Sequence, residues 1–508
     1  MKTTAAGGQQ SFSPAVGVVF LLGALACAPS SHLPKQSIVV VPPAAAASPA
    51  AQAPSSSPAS ASAAVADRDD PFLVDLERRT FRYFWETTDP TTGLVPDRWP
   101  AKTFSSIAAI GFGLTSYGVG AERGWVTREE AAERVAVTLR ILERLPQGDR
   151  ATGMSGYHGF FYHFLSFEDG SRYRDVELSS IDTALLFAGV LFVQGYFDRE
   201  VPLEIEIRHL AEELFARVDW TWMQTRPPLV AMGWYPEKGF HHLDWTGYSE
   251  AMLLYILALG SPTHPVEPEA WTKWTSTYEA IDFYGQHYLD FGPLFGHQYT
   301  HVWVDFRGIH DAANARLGFD YFENSRRATL AQQAWAAANP RGWKGIDAAV
   351  WGVSASDGPA DIHHEVNGET RAFWSYAGRG IGPRRDVEDG TITPTAAGGS
   401  MAFAPEIALP ALVEMARRHG DELYTRYGFL DAFNPTFDFP EIAVHDGHVV
   451  PGAGWYDSDY LGIDQGPILL MIENYRSGLI WKVMRDHPVI RRGLTRAGFS
   501  GEWLDEKH

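Results

Sequence analysis

Carboxylic side chains precede three long apolar stretches of the chain, and each group stands at the N-terminal end of a segment that must be buried. The three segments read DVELSSIDTALLFAG, WTGYSEAMLLYILALG and WYDSDYLGIDQGPILLMIENY. Paired carboxyl groups hydrolyse glycosidic bonds, with one proton donor and a second carboxylate about 5 Å or roughly 6.5–9.5 Å away. The acids in these segments are Glu177 and Asp182, then Glu250, then Asp457, Asp459 and Asp464.

A purely structural role is the alternative for each acid, because Asp and Ser are favoured N-cap residues and a first-turn acid interacts well with the helix dipole. Asp182 and Asp464 fit that alternative best, since each is followed directly by its helix. Glu250 fits it less well, because Ser249 already offers a cap and an unpaired Glu among apolar neighbours is costly to bury. Partial burial raises the pKa of a carboxyl group, so Glu250 is the first choice for a general acid.

Two polar and aromatic segments, 233–250 and 295–311, lie between these acids. Aromatic faces suit sugar C–H groups, and polar side chains can bind hydroxyl groups, which is the usual makeup of a concave site for a polar ligand. The alternative is that several of these side chains only pack in the core. The predicted sugar-binding residues are Trp234, Trp245, Tyr248, His297, Gln298, His301, Trp303, Asp305 and Arg307.

The histidines and glycines do not form the usual cofactor motifs. There is no HExxH spacing, and His241-His242 is an adjacent pair whose members cannot easily face one site. The acids near the C-terminus lack the spacing of an EF-hand loop, and no Gly-rich segment follows a predicted strand. The only cysteine is Cys27, which excludes a zinc–thiolate site. We therefore expect neither a metal nor an organic cofactor.

Net charge argues against nucleic acid as a partner. The formal charge is −20, and no run of Lys and Arg is interleaved with aromatic residues. A protein that binds the phosphate backbone needs such a basic surface. The expected partner is instead a glucan or oligosaccharide.

Two kinds of helix must position these residues. Segments 127–145 and 202–218 are amphipathic, and the first has Thr127 and Glu130 at capping-box spacing. The other kind is apolar all round and needs a covering layer of helices. This alternation predicts an all-α (α/α)6 toroid, a double ring of helices, with a few short hairpins in loops such as 165–173. The wholly apolar segments are 107–119, 183–193, 251–259 and 467–472.

The N-terminus reads as an export signal followed by a tether. The apolar run of residues 15–26 ends at Cys27, which resembles a bacterial lipoprotein signal, with plain cleavage as the alternative. Residues 28–68 are rich in Pro, Ala and Ser and are expected to be disordered. We predict an export signal over 1–27, this tether, and one catalytic domain over 69–508. The expected location is the periplasm or the outer membrane, with membrane contact only through a lipid on Cys27.

Four motifs carry a family resemblance: SSIDTALLFAG, GYSEAMLLYILALGSPTHP, PLFGHQYTHVWVDFRGI and YLGIDQGPILLMIENYRSGLIWK. They resemble the bacterial glycoamylase-like domain family, which includes the β-1,2-glucanases of glycoside hydrolase family 144, and the resemblance runs over about 71–499. It implies an (α/α)6 barrel and anomer-inverting hydrolysis of β-1,2-glucan or its oligosaccharides, with a Glu acid and an Asp base. It also implies a periplasmic or lipoprotein setting.

The resemblance places the family's acidic positions on Glu177 or Asp182, on Glu250, and on one Asp near the C-terminus. We favour Asp459 or Asp464 for the last position and treat Asp182 as a supporting residue. Two other functions stay open: hydrolysis of another glucan at the same site, and glycan binding by a lipoprotein without turnover. The competing C-terminal residues are Asp438, Asp457, Asp459 and Asp464.

Overall fold

The computed structural model describes residues 67–384 and 387–506, so the predicted export signal and almost all of the predicted tether lie outside the described residues. No helix in these two ranges combines the length and the apolar character that a bilayer crossing requires. A short 3₁₀ helix spans Gly420–Glu422. The α-helices are α1 Pro71–Thr87, α2 Ile107–Glu122, α3 Arg128–Arg144, α4 Ser180–Tyr196, α5 Pro202–Ala216, α6 Ala251–Gly260, α7 Glu269–Thr275, α8 Phe295–Trp303, α9 Ala312–Leu317, α10 Tyr321–Ala338, α11 Pro394–Gly398, α12 Pro405–His419, α13 Gly462–Arg476, α14 Leu479–Asp486, α15 Pro488–Arg496 and α16 Glu502–Asp505.

The two predicted kinds of helix are both present. Helix α3 begins with the expected capping box, in which Thr127 and Glu130 bond each other's backbone N–H, and only one face of the helix is buried. Helices α2, α4, α6 and α13 are instead buried along nearly their whole length. The apolar segment predicted to start at Pro467 begins earlier, because Pro467 lies inside α13.

The buried helices contact one another in a closed series. Helix α2 packs on α4, α4 on α6, α6 on α8, α8 on α13, and α13 again on α2. Helix α11 packs on α13 and contacts α8, where Gln298 Nε2 donates to the carbonyl of Ala396. The remaining long helices cover these: α1 packs on α2 and α13, α3 on α2, α5 on α4, α15 on α6, α10 on α8 and α12 on α11.

Glycine permits the close packing of α2 on α4. A Cβ atom at Gly111 would lie 2.2 Å from the carbonyl oxygen of Leu185, and one at Gly189 would lie 2.1 Å from the carbonyl oxygen of Gly111. The two backbones therefore touch directly, which no larger residue would allow at either position.

Short antiparallel ladders join distant loops, so the described chain has more strand pairing than the few local hairpins predicted. Around segment 165–173, the backbone bridge of Leu165 to Arg172 agrees with the expected turn, but Phe164–Leu165 pairs with Ser105–Ser106. Two-residue strands carry no periodic signal, which is why the sequence did not reveal them. The strands are β1 Arg98–Trp99, β2 Ser105–Ser106, β3 Gly156–Tyr157, β4 Phe160–Phe161, β5 Phe164–Leu165, β6 Leu178–Ser179, β7 Gly233–Tyr235, β8 Gly239–Phe240, β9 Ala280–Phe283, β10 Gln286–Leu289, β11 Ala355–Asp357, β12 Ile362–Val366, β13 Glu369–Phe373, β14 Tyr376–Gly378, β15 Tyr424–Thr425, β16 Gly428–Phe429, β17 Phe433–Asn434, β18 His448–Val450, β19 Gly454–Tyr456 and β20 Tyr460–Leu461.

Three of these ladders end where buried helices begin. Strand β2 leads directly into α2, β6 into α4 and β20 into α13, and they pair with β5, β7 and β1 respectively. The first turns of three buried helices are thus fixed to one set of loops, and this set carries the candidate site.

Candidate active site

A cavity of about 540 Å³ opens at the N-terminal ends of the buried helices. Its lining includes Ser106, which is the N-cap residue of α2, the first turns of α4, α8 and α13, and the residue before α6. Because all these helices present their N-termini to one cavity, acids that are far apart in sequence meet there. The acids lining the cavity are Asp97, Asp182, Glu250, Asp357, Asp361 and Asp464.

Glu250 stands immediately before α6 and is 3% exposed. Its Oε2 atom has no hydrogen-bond partner among the described residues, and its side chain does not cap the helix. Ser249 accepts the N–H of Ala251 instead, as the sequence suggested. Burial raises the pKa of Glu250 to about 8, with a smaller contribution from the charge of Asp182, so the carboxyl group is protonated at neutral pH.

Asp182 lies in the first turn of α4 and is held from two sides. Ser179 is the N-cap residue of α4, and its hydroxyl donates to Asp182 Oδ2 over 2.5 Å. On the other side, His163 Nε2 lies 3.6 Å from Asp182 Oδ1. Burial raises the pKa of Asp182, and the charge of His163 opposes that shift. Asp182 is therefore not the cap itself, because Ser179 fills that role.

Glu177 meets Asp182 through the same histidine. Its Oε1 lies 2.8 Å from His163 Nδ1, although Glu177 itself does not line the cavity. The charge of His163 and its hydrogen bond outweigh burial and lower the pKa of Glu177. The sequence predicted both acids but not the histidine between them.

Asp464 also lines the cavity, in the first turn of α13. Burial raises its pKa to about 7, while a hydrogen bond with Asp431 lowers it. Burial and the charge of Asp464 raise the pKa of Asp431 well above its ordinary value. Asp431 is therefore the protonated partner that donates, and Asp464 is the carboxyl group that ionises first.

Tyr299 lines the same cavity as Glu250 and Asp464. It lies one helical turn after Phe295 on α8, and both side chains line the cavity. Burial raises the pKa of Tyr299, and the charges of Asp464 and Glu250 raise it further. Glu250, Tyr299 and Asp464 therefore line one cavity and interact electrostatically there.

The other C-terminal candidates lie outside the cavity lining. Asp459 is 3.4 Å from Arg98 Nη1, and burial raises its pKa to about 6 against the charge of that arginine. Asp457 is buried behind it, where its Oδ1 accepts the N–H of Ser458 over 2.7 Å. Asp438 is partly exposed and accepts the N–H of Gly452 in a loop.

Three buried acids could hold a divalent cation by distance alone. Carboxylate oxygens of Asp357, Asp431 and Asp457 all lie within 4.8 Å of one another. Arg98 already supplies a cation there, because its Nη1 is 3.0 Å from Asp357 Oδ2. We therefore interpret this group as acids balanced by a guanidinium and by shared protons.

Comparison with known proteins places the chain in a family. A family model described as "Putative glucoamylase" matches residues 242–488. A crystal structure with the same description, from Bacteroides uniformis, is 31% identical, covers 86% of this chain and 99% of that chain, and superposes with a TM-score of 0.72. The chain belongs to the glycoamylase-like family of glycoside hydrolases.

Two further relatives carry names that state an activity. An endo-β-1,2-glucanase from Chitinophaga pinensis, solved with sophorotriose and glucose, is 28% identical over 86% of this chain and 100% of that chain, with a TM-score of 0.72. A curated exo β-1,2-glucooligosaccharide sophorohydrolase from Parabacteroides distasonis is 28% identical over 86% of this chain. The chain spans 59% of the length of that sophorohydrolase.

The glycoamylase-like chain does not bring its predicted sugar-binding residues to the cavity. On α8, Phe295 and Tyr299 face the cavity, so the residues between and after them face other helices. His297 contacts the carbonyl of Phe291, Gln298 donates to Ser400, and His301 contacts Ser325. All three side chains are buried and make these polar contacts within the protein, so the structure does not bring them to the cavity, and the sequence could not show the direction in which they point.

The remaining members of that set also pack elsewhere. Trp303 is fully buried and donates to Thr115. Asp305 and Arg307 pair with each other beyond the C-terminus of α8, at the end of the helix that is remote from the cavity. Trp245 donates to Ser180. Trp234 packs on Tyr157 and Trp222, and Tyr248 packs on His297 and Tyr321.

Several cavity residues of this glycoamylase-like protein were missed from sequence. Apart from Tyr299 on α8, they come from loops and short strands, and no local pattern marks them. A charged residue before a two-residue strand looks like any other loop residue. The missed lining residues are Asp97, Arg98, His163, Tyr299, Asp357 and Tyr376, and Asp431, the hydrogen-bond partner of Asp464, was missed as well.

Proposed function

We propose that this protein hydrolyses β-1,2-glucan or its oligosaccharides with Glu250 as general acid and Asp464 as general base. The observation that carries the proposal is that a buried, protonated Glu250 and an ionisable Asp464 line the same cavity, together with Tyr299. The substrate comes from the names of the two relatives that act on β-1,2-linked glucans.

The proposed reaction uses one proton donor and one proton acceptor. Glu250 donates its proton to the glycosidic oxygen as the bond to the anomeric carbon breaks. Asp464, as a carboxylate, accepts a proton from the water that attacks the same carbon from the opposite face, so the anomeric configuration inverts. Asp431 donates a hydrogen bond to Asp464 and so favours its ionised form.

We infer that the fold is an (α/α)6 toroid. An inner ring of six helices is supported by the order in which the buried helices contact one another, namely α2, α4, α6, α8, α11 and α13. Helices α1, α3, α5, α15, α10 and α12 lie outside this ring. We also propose one catalytic domain over 69–508, preceded by the export signal and tether, with a lipid on Cys27 as the membrane contact.

The test is the product profile of the purified protein on linear β-1,2-glucan, with the anomer of the first product followed by NMR. We expect sophoro-oligosaccharides whose new reducing ends start in the α configuration. If the protein releases oligosaccharides from another glucan but not from β-1,2-glucan, the proposed substrate is wrong. If it binds glucan without releasing reducing ends, it is a glycan-binding protein and not an enzyme.

Single variants test the two roles. Glu250→Gln and Asp464→Asn should each abolish most activity while leaving the thermal midpoint close to that of the parent. Asp438→Asn is the matched control, because Asp438 also belongs to the C-terminal acids but lies in a loop away from the cavity. Full activity in either site variant would contradict the assignment.

A further inference from the structure

The imidazole ring of His163 lies between two carboxylates, with one beside each ring nitrogen. Its Nδ1 lies 2.8 Å from Glu177 Oε1, and its Nε2 lies 3.6 Å from Asp182 Oδ1. The backbone fixes the residue as well, because its N–H donates to the carbonyl of Glu177 and its carbonyl accepts the N–H of Ile107. The ring stacks on Phe164 at 4.0 Å and lines the cavity.

The proton count of the ring follows from this geometry. An ionised carboxylate only accepts hydrogen bonds, and a neutral imidazole carries a single N–H. A neutral ring would therefore direct a nitrogen lone pair at one of the two carboxylates, whereas an imidazolium can donate to both. Burial lowers the pKa of His163, but the charges of Asp182 and Glu177, with a smaller one from Asp97, raise it to about 10.

Asp182 and Glu250 line the same cavity. Beyond the effect of burial, the charge of Asp182 raises the pKa of Glu250. The groups around Asp182 are His163, Glu177 and Asp97, and the phenol beside Glu250 is Tyr299. The influence of the imidazolium on Glu250 therefore passes through Asp182.

We propose that His163 is a positioning residue that stays an imidazolium, holds Asp182 as a carboxylate, and thereby keeps the neighbouring Glu250 protonated and ready to donate. The proposal rests on the proposed function for the role of Glu250, whereas the charge state of the ring rests on the two carboxylates beside its nitrogens. A carboxylate beside the proton donor makes its ionised form less favourable, since two like charges in a buried site repel.

The variant His163→Gln should lower the pKa of Glu250. Without the imidazolium, burial raises the pKa of Asp182 further, because only its hydrogen bonds with Ser179 and with the backbone still oppose that shift, and more of Asp182 is protonated. The neutral Asp182 no longer repels a charge on Glu250, so Glu250 ionises at lower pH. Asp182→Asn removes the same charge directly and should have the same effect, and the double variant should shift no further than either single variant.

The experiment measures kcat/KM on a β-1,2-gluco-oligosaccharide between about pH 5 and pH 10. We expect the basic limb of the profile to move to lower pH in His163→Gln and in Asp182→Asn. His209→Gln, which changes an exposed histidine on α5, should leave the profile of the parent unchanged. A lower rate with an unmoved basic limb would show that His163 only supports the loop, and would overturn the proposal.

A second measurement needs no activity, so it separates this inference from the proposed function. The ring nitrogens of ¹⁵N-histidine-labelled protein report the charge of His163, assigned through the missing signal in His163→Gln. The side-chain carbons of ¹³C-glutamate report Glu250, assigned through Glu250→Gln. We expect an imidazolium up to at least about pH 9 and a lower pKa of Glu250 in His163→Gln. Loss of the ring charge below pH 7, or an unchanged Glu250, would overturn the proposal even in a protein that cleaves no β-1,2-glucan.

Discussion

Arg98 Nη1 lies 3.0 Å from Asp357 Oδ2, which joins residues 259 positions apart in the chain. The same guanidinium reaches Asp459 at 3.4 Å and Asp97 at 3.6 Å. Neighbouring acids raise the pKa of Arg98 despite its burial. One cation thus holds together buried acids from the residue before β1, from β11 and from the segment before α13.

Removing that cation should destabilise the fold strongly. Arg98→Met keeps a long side chain but leaves several buried carboxylates without their counter-ion, a type of change that costs about 3–5 kcal/mol. We expect a clear fall in the midpoint of thermal unfolding measured by calorimetry. Arg78→Met, which alters an exposed arginine on α1, should change the midpoint little. Equal midpoints for the two variants would show that the acids are held without Arg98.

The pH dependence of activity should report Glu250. A general acid must carry its proton, and burial raises the pKa of Glu250 to about 8. We therefore expect kcat/KM to fall as the pH rises through about 8, and expect Glu250→Gln to lose roughly 10²- to 10⁴-fold in kcat. A steady-state pH profile of the parent protein checks the first statement. A profile that stays flat to pH 10 would remove Glu250 as the donor.

The free energy of unfolding should fall as the pH rises, because of a second pair of carboxyl groups that lies away from the cavity. Glu77 is fully buried beside Glu473, with Arg476 and Arg123 around them. Burial, and then the charge of Glu473, raise the pKa of Glu77 from 4.5 to about 8. The folded state therefore binds more protons than the unfolded state between these values, and stability falls as the pH rises through that window.

Calorimetry of Glu77→Gln tests this directly. Between about pH 5 and pH 8.5 the midpoint of the parent should fall, and the fall should be smaller in Glu77→Gln because one titrating group is gone. Glu133→Gln, on the exposed face of α3, is the control and should fall as steeply as the parent. The same slope in all three proteins would mean that Glu77 is ionised at neutral pH.

Gly111→Ala should separate two buried helices. The added Cβ would lie 2.2 Å from the carbonyl oxygen of Leu185, so α2 and α4 must move apart, and overpacking of this kind costs about 1–3 kcal/mol or more. Gly239→Ala is a useful comparison, since that position has a φ of 77° but open space around it. We expect the lower unfolding midpoint in Gly111→Ala, and the reverse order would show that the helix contact can relax.

Local patterns in the sequence predicted the helices well. The capping box at Thr127 and Glu130 and the one-sided apolar pattern behind it are local signals, and α3 follows them. The wholly apolar segments became α2, α4, α6 and α13 because burial on all sides needs no further information. The acids before those helices were visible for the same reason, since each stands next to a segment that must be buried.

The sequence did not predict the direction in which side chains point, or which residues distant in the chain lie beside each other. His297, Gln298 and His301 were assigned to a sugar, yet α8 turns them toward other helices. His163 was overlooked, because its meaning depends on Glu177 and Asp182, which reach it only in the folded chain.

By itself, the sequence determined which segments are buried helices, which acids precede them, and the family to which the chain belongs. Only the tertiary structure decided which of those acids share a cavity, that Asp431 and Arg98 join them, and that a histidine lies between two of them. The physical reason is that burial of a helix follows from its own composition, whereas the protonation of a carboxyl group depends on charges brought near it by residues elsewhere in the chain.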